Sequence, residues 1–430
     1  MSDTQKENYI LPILMMFALF FTIAFVTGLQ NPMGIIVKNQ FGASNLLSQL
    51  GNFANFIAYA FMGIPAGRLL SKIGYKKTAL SAIVVGFVGV GITFLSGQLA
   101  NFGVFLLGAF ISGFSMCMLN TVVNPFLNTL VSDQKKAHQL LQRGLAFSSA
   151  GATIVPVLVG YLMGSDEASR TIAKANPALF LAMAIFAVAF LILAVVRIPE
   201  TFISTEKKAN GEKDKYSALS FRHFVFGMIA IFIYVGVEVG IPNIANLYMT
   251  TGLENGGLGL EPSVAGTVIG TYWILMLVGR FIGGILGSRF SSDTMLTTAS
   301  SRAFLLVILA IFMPVDARVN MPVFQSDISF GFAEVPVSIM LLMLVGLCTS
   351  VMWGSIFNLA TSGLGKYTAE ASGLFMVMVC GGGILPAIQG WTADMIGYIN
   401  SYLIVAAGLV FIFFFALAGH ENVNKDIPTE

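Results

Sequence analysis

The chain has 430 residues, of which 56% are hydrophobic and only 10% charged, and its mean hydropathy is +0.83. Soluble domains carry about 25% charged residues, so this composition excludes a soluble globular protein and points to a polytopic protein in a lipid bilayer. The net charge of +2 gives no argument for nucleic acid, and Cys117, Cys348 and Cys380 all lie in apolar segments without ligand spacing, so neither a disulfide framework nor a metal site is expected.

Residues 1–7 include Asp3, Lys6 and Glu7, and the apolar run behind them is too long for a signal-peptide core and lacks a small-residue cleavage site. The first span is therefore expected to be retained. Apolar stretches recur at about 9–37, 46–70, 77–97, 102–130, 140–163 and 177–197, and again at 223–249, 263–288, 296–314, 335–363, 368–393 and 399–419. Each reaches, or nearly reaches, the roughly 20 residues that cross a bilayer. Twelve spans place both termini on one side. With the termini in the cytoplasm, every Lys and Arg except Lys38, Arg170, Lys174 and Arg318 falls inside, as the positive-inside rule requires. The run from Glu206 to Lys215 is the one long charged segment, and it divides the spans six and six. The expectation is an all-α membrane protein with twelve transmembrane helices in two six-helix bundles, residues 1–200 and 222–430, joined by a cytoplasmic linker at 201–221.

Along span 2, Gln49, Asn52, Asn55 and Tyr59 recur at helical spacing, and a polar stripe inside a bilayer must face protein or water. Between spans 2 and 3, Gly67-Arg-Leu-Leu-Ser-Lys-Ile-Gly-Tyr-Lys-Lys77 combines close-packing glycines with cations, of which Arg68 and Lys72 are candidates for an inner gate. Span 4 adds Asn120 and Asn124 at i, i+4 beside Pro125, and span 5 adds Ser148 and Ser149. Amides and hydroxyls presented from several helices suit a polyhydroxylated ligand, since each hydroxyl both donates and accepts; interhelical hydrogen bonding is the competing explanation for any one of them.

Span 7 holds the strongest signal. Glu238 lies near the middle of an apolar stretch, where a carboxylate costs several kcal/mol unless it is protonated, paired or wetted. Four residues later Pro242 frees a backbone carbonyl, and Asn243 and Asn246 add amides. Glu238 reads as an ion-responsive group on a water-filled path, with a buried structural glutamate as the alternative. Span 8 contributes Tyr272, Trp273 and, toward its inner end, Arg280, which reads as bracing a gate or snorkelling rather than binding substrate. Trp353 and Asn358 lie in span 10, and Gln389 in span 11 follows a Gly381-Gly-Gly-Ile-Leu-Pro386 stretch of poor helical propensity. The histidines His138, His223 and His420 fall at span ends without a metal spacing, and no phosphate-binding glycine loop argues for an ATP-driven pump.

Five stretches carry a resemblance to a known family. They are Gly28-Leu-Gln-Asn-Pro, Leu119-Asn-Thr-Val-Val-Asn-Pro-Phe126, Tyr234-Val-Gly-Val-Glu-Val-Gly240, Tyr272-Trp with Val278-Gly-Arg-Phe-Ile-Gly283, and Gly381 through Gly390. Over nearly its whole length the chain resembles the fucose–galactose–glucose:proton symporter family of the major facilitator superfamily. The resemblance implies a monosaccharide carrier, with a hexose or deoxyhexose as partner and a proton as coupling ion; Na⁺, held by an ionised Glu238 with the carbonyl freed by Pro242, is the alternative that the residues themselves offer. The candidate site read from the residues themselves comprises Asn31, Asn52, Asn55, Asn120, Asn124, Asn243, Asn246, Tyr272, Trp273, Trp353, Asn358 and Gln389 for the sugar, and Glu238 for the ion. Two departures matter. Asn31 and Asn120 stand where the family's fucose carrier has acids, and Ser71 replaces the acid usual in the loop between spans 2 and 3. The task of carrying a proton then falls to Glu238. An uncoupled facilitator is the alternative, and an intramembrane enzyme or sensor a distant one. A monomer without cofactor, in a bacterial inner membrane, is expected.

Overall fold

The structure is a computed structural model, and it describes residues 10–29, 40, 50–130, 133–163, 172–200, 215–324 and 329–429. Ten of its helices are long and apolar enough to cross a membrane. One of them, Leu50–Leu99, holds two passes divided at Gly74, whose φ of 84° and ψ of 176° belong to a region open essentially to glycine alone. With the helix Gln134–Met163 included, the passes are twelve. In chain order they are α1 (Ile10–Gly28), α2 (50–73), α3 (75–99), α4 (Phe102–Thr129), α5 (Gln134–Met163) and α6 (Asn176–Val195). The second set is α7 (Arg222–Thr250), α8 (Pro262–Leu286), α9 (Ser292–Phe312), α10 (Val337–Thr361), α11 (Gly365–Ile396) and α12 (Tyr402–Gly419).

Several of these helices are interrupted. α10 breaks at Ser350 and Val351 between Val337–Thr349 and Met352–Thr361. In α11 a 3₁₀ turn at Met378–Cys380 immediately precedes the glycine run, which itself stays helical from Gly381. Between α9 and α10 lies a feature that the apolar pattern does not announce. There β1 (Arg318–Phe324) pairs antiparallel with β2 (Phe330–Pro336), from Arg318 opposite Pro336 to Phe324 opposite Phe330. The hairpin packs on α8 and α10 and marks one face of the molecule. The opposite face, here the tail face, carries the α2–α3 turn and the C-terminal residues after α12.

The α2–α3 turn is fixed from within its own bundle. The carboxylate of Glu200, just past α6, accepts from the backbone N–H of Tyr75 at 2.7 Å and of Lys76 at 3.2 Å. The Lys76 ammonium donates to the carbonyls of Ala194 and Val196 at 2.8 Å each, where a cation satisfies the last orphan carbonyls of a helix. Glu200 thus holds the turn through its backbone, and Ser71 donates only to the Arg68 carbonyl.

The two bundles meet through α5 against α8 and α10, and through α2 and α4 against α11. In a bilayer, helices associate by close packing and hydrogen bonding, because lipid is as apolar as the side chains it would displace. The α2–α11 seam follows that rule. A Cβ built on Gly373 would lie 2.6 Å from the Gly63 carbonyl oxygen and 2.7 Å from the Gly67 Cα, so the two backbones touch directly. Near the tail face the α5–α8 seam is as close: a Cβ on Gly287 would come 3.1 Å from the His138 ring.

Candidate functional site

Glu238 lies at the middle of α7, and its Oε1 is 3.2 Å from Nη2 of Arg280 on α8, with the two side chains 13% and 10% exposed. Pro242 explains the backbone around it. Proline has no N–H to give to the carbonyl four residues earlier, so the Glu238 carbonyl is left without its helical donor. The hydroxyl of Tyr272 takes that place, donating at 3.2 Å, and also lies 3.2 Å from Oγ1 of Thr349 on α10. Tyr234, one helical turn before Glu238, is buried with its phenol within electrostatic reach of the carboxylate.

Arg280 carries the site into the other bundle. Its Nη1 donates to Oγ of Ser149 at 2.5 Å and points to the Leu145 carbonyl at 3.4 Å, both on α5. One guanidinium therefore binds the acid of its own bundle and the wall of its neighbour. The planar fork of arginine suits this double role, which a lysine point charge would fill poorly.

A second group sits beside the first. Nδ2 of Asn124 donates to the Asn120 carbonyl at 2.8 Å, and Nδ2 of Asn120 donates to the Tyr59 hydroxyl at 3.1 Å. Oδ1 of Asn124 accepts from Nε1 of Trp353 at 3.1 Å, so α4 and α10 are joined across the bundle boundary. The Trp353 indole meets the rings of Tyr234 and Phe375 edge-on, each with centroids 6.2 Å apart. Tyr59, Asn120, Asn124, Trp353, Tyr234, Glu238, Arg280 and Ser149 thus form one nearly continuous polar and aromatic path from bundle to bundle.

The structure brings together Asn120, Asn124, Trp353, Glu238, Arg280 and Tyr272 from the sequence-level candidates. Others lie apart. Asn55 is buried against α4, its amide 3.5 Å from the Ala109 carbonyl, while Asn52 is half-buried on α2. Asn243 and Asn246 are exposed on the hairpin-face half of α7, and Trp273 is half-buried with its ring edge on Tyr272. Asn358 donates to Oγ of Ser292 at 2.7 Å, at the tail-face end of α9, and Gln389 is buried against Gly240. Arg68 and Lys72 are exposed on the tail face, and Asn31 lies outside the described residues. Among the described residues no group of His, Cys, Asp and Glu could hold a metal ion.

Three participants are not singled out as site residues by sequence reasoning. Tyr59 and Ser149 stand there only as members of polar stretches. Tyr234 is accessible from its i, i+4 spacing to Glu238, which puts both on one face of a helix.

Twelve passes in two bundles, meeting at a charged and amide-rich seam inside the membrane, define a polytopic transport protein. The chain belongs to the Major Facilitator Superfamily, whose family description matches residues 15–387. It is similar to the putative glucose/galactose transporter of Helicobacter pylori, 30% identical over 433 residues that cover 97% of this chain and 99% of that one. The glucose/galactose transporter of Brucella abortus is 28% identical over 424 residues, covering 97% and 96%. Among solved structures, a variant of the Escherichia coli fucose:proton symporter FucP superposes with a TM-score of 0.77 at 23% identity, over 95% of this chain and 98% of that one.

Proposed function

We propose that the chain is a secondary active carrier that imports a monosaccharide, a hexose or deoxyhexose, by alternating access coupled to protons. The observation that carries this reading is the ion pair Glu238–Arg280, nearly buried, with Arg280 also hydrogen-bonded to Ser149 of the facing bundle. A charge change at Glu238 is felt at once at the contact between bundles. When Glu238 takes up a proton the Arg280 charge is left uncompensated in the seam, and water entry with separation of α5 from α8 becomes the lower-energy arrangement. The names of the relatives support a sugar as cargo, and Asn120, Asn124 and Trp353 supply the amide and indole groups that read hydroxyls and a pyranose face.

In this reading the tail face is cytoplasmic, both termini are inside, and the membrane is the bacterial inner membrane. The bundles comprise residues 1–200 and 222–430, joined by the linker 201–221, and the monomer is the working unit. Protons are favoured over Na⁺ because the Arg280 guanidinium already occupies the carboxylate and Tyr272 the freed carbonyl, which leaves poor ligands for a second cation. The transporter family and the names of the relatives support a carrier over an enzyme. Uncoupled facilitation is the second reading, favoured by the amide of Asn120 where the family's fucose carrier has an acid.

The test is flux through the wild-type protein in proteoliposomes, using a panel of labelled hexoses and deoxyhexoses with an imposed pH gradient, an imposed Na⁺ gradient or neither. Accumulation of one of them above equilibrium with the pH gradient alone is the expected result. Equilibration without accumulation under every gradient would establish the uncoupled reading instead, and no flux of any sugar would remove the proposal.

A further inference from the structure

His138 is fully buried near the tail-face end of the α5–α8 seam, and neither of its ring nitrogens makes a hydrogen bond. It stands four residues into α5, about 6 Å along the helix from its start, and heads a stripe that continues at helical spacing with Gln142, Leu145 and Ser149. Each member of the stripe touches the other bundle. The His138 ring lies against Gly287 of α8 and beside the Gly354 backbone of α10. Gln142 donates through Nε2 to the Val351 carbonyl at 2.9 Å, while its Oε1 is buried and unbonded. Leu145 packs on Gly354, and Ser149 accepts from Arg280.

A buried polar group without a partner is costly, and it regains its hydrogen bonds only where water reaches it. Drawing α5 away from α8 and α10 would admit tail-face water to His138. A proton on the ring needs that water more, because the closed seam offers no charge to balance it. Around the start of α5, Asp133, Lys135, Lys136 and Arg143 are all exposed, and the Asp133 carboxylate is taken up by the backbone N–H groups of Lys135 and Lys136. On α8, Arg280 is two turns from Gly287 and committed to Glu238 of α7 and to Ser149, and Arg289 beyond the helix end is exposed. The helices α1, α4, α6 and α10 carry no charged side chain within the ranges given. An imidazolium in this neutral or cationic setting is tolerated only when hydrated.

We infer that His138 is a proton-responsive gate residue: it takes a proton from tail-face water only when α5 stands away from α8 and α10, and so holds the seam open in acid. The closed seam is then favoured at neutral pH and loses ground as the pH falls through the ordinary histidine range. A group with a pKa of about 6.5 in the open state, and no proton in the closed one, raises the open-to-closed ratio about tenfold between about pH 7.5 and 5.5. The switch acts apart from Glu238 and needs no sugar. In a carrier that delivers a proton to the tail-face compartment on each cycle, it slows the return of the empty carrier as that compartment acidifies, a consequence that rests on the transport reading above.

The test is the distance between the bundles at the tail face, measured by double electron–electron resonance in nanodiscs without sugar. Spin labels are placed on Ser71→Cys of α2 and Ser288→Cys beyond α8, both exposed, in a parent protein whose three native cysteines are replaced by alanine. From about pH 7.5 to 5.5 the ratio of the long to the short distance should rise about tenfold in the parent and less than about twofold in His138→Gln. Glu238 is present in both, so its own titration cancels in the comparison. His138→Lys should favour the long distance at both pH values, whereas His138→Met, of similar length and uncharged, should neither open the seam nor respond to pH. An equal response in the parent and the two neutral variants overturns the inference, and so does a parent without any response. Opening by His138→Met to the extent of His138→Lys also overturns it, since bulk rather than charge would then part the helices. Distances are read from monodisperse protein, and the two neutral variants stand in for one another should either fail to fold.

Discussion

Replacing Glu238 by glutamine tests the coupling role most directly, because it removes the charge and keeps the shape. At an effective dielectric constant of 20, unit charges 3.2 Å apart attract by about 5 kcal/mol, much of it offset by the desolvation of two nearly buried side chains. Stranding one member of such a pair typically costs about 3–5 kcal/mol. The glutamine oxygen still accepts from Arg280, and a hydrogen bond to a charged group returns about 1.5–3 kcal/mol. The net destabilisation expected is therefore about 1–3 kcal/mol, enough to lower the melting temperature in detergent without unfolding the protein. The same energy, if it falls on the closed tail face, weakens that state by a factor of about 5 to 150. In proteoliposomes, Glu238→Gln should lose accumulation driven by a pH gradient and keep sugar counterflow, which moves no net ion. Accumulation at wild-type level would show that Glu238 is not the coupling group. Loss of counterflow together with a collapse of thermal stability would make the ion pair structural.

The other expectations concern the seam. Trp353→Phe keeps the ring but leaves Oδ1 of buried Asn124 without its donor, which should cost about 1–3 kcal/mol of stability or sugar affinity; Trp353→Ala should cost more, since it also loses the ring contacts to Tyr234 and Phe375. Calorimetry of sugar binding and thermal unfolding measure both; equal effects of the two variants would mean that the ring contacts contribute nothing, and no effect of Trp353→Phe that the indole N–H contributes nothing. Gly373→Val places side-chain atoms where the Gly63 and Gly67 backbones now touch, so α2 and α11 should be unable to close. Uptake should disappear while sugar binding persists, and a cysteine replacing Asn128, which near the tail-face end of α4 donates to Oγ1 of Thr361 on α10 at 3.1 Å, should become more reactive to a water-soluble thiol reagent from the tail face. Unchanged reactivity would show that the contact of Gly373 with Gly63 and Gly67 does not shut that face.

Much of the architecture is legible in the sequence because a bilayer leaves few options. Segments of about twenty apolar residues must be helices, and Gly74 with its flanking cations marks a turn by residue type alone. The hairpin at 318–336 is not legible in the same way. All but its last two residues, Val335 and Pro336, lie outside the apolar spans, and it carries mixed polar and apolar side chains with Pro322 inside β1, a weak strand signal. The depth of Glu238 and the carbonyl freed by Pro242 can both be read along one helix. Their partners cannot. Arg280 lies 42 residues away in sequence, and Ser149 is 131 residues from Arg280, so only packing decides which faces meet. The stripe of span 2 is legible as a face but not as a site. Helical spacing puts Asn55 and Tyr59 on one face, and both do meet α4, but only Tyr59 reaches the site at Asn120, while Asn55 is spent on the Ala109 carbonyl, so packing, not spacing, separates them.

The freed carbonyl at Pro242 has a counterpart in α4. Pro125 leaves the Thr121 carbonyl without its helical donor, and Oγ of Ser372 on α11 donates to it at 3.1 Å. At Glu238 the exported acceptor is satisfied inside one bundle, so it travels with the helix and never changes partner. At Thr121 it is satisfied across the boundary, so every turnover must trade this bond for one to water and then recover it. A neutral hydrogen bond exchanged in that way is worth only about 0.5–1.5 kcal/mol, within a few multiples of thermal energy. Such a clasp helps align the bundles as they close and is too weak to hold them shut, which a machine that must reopen on each cycle requires.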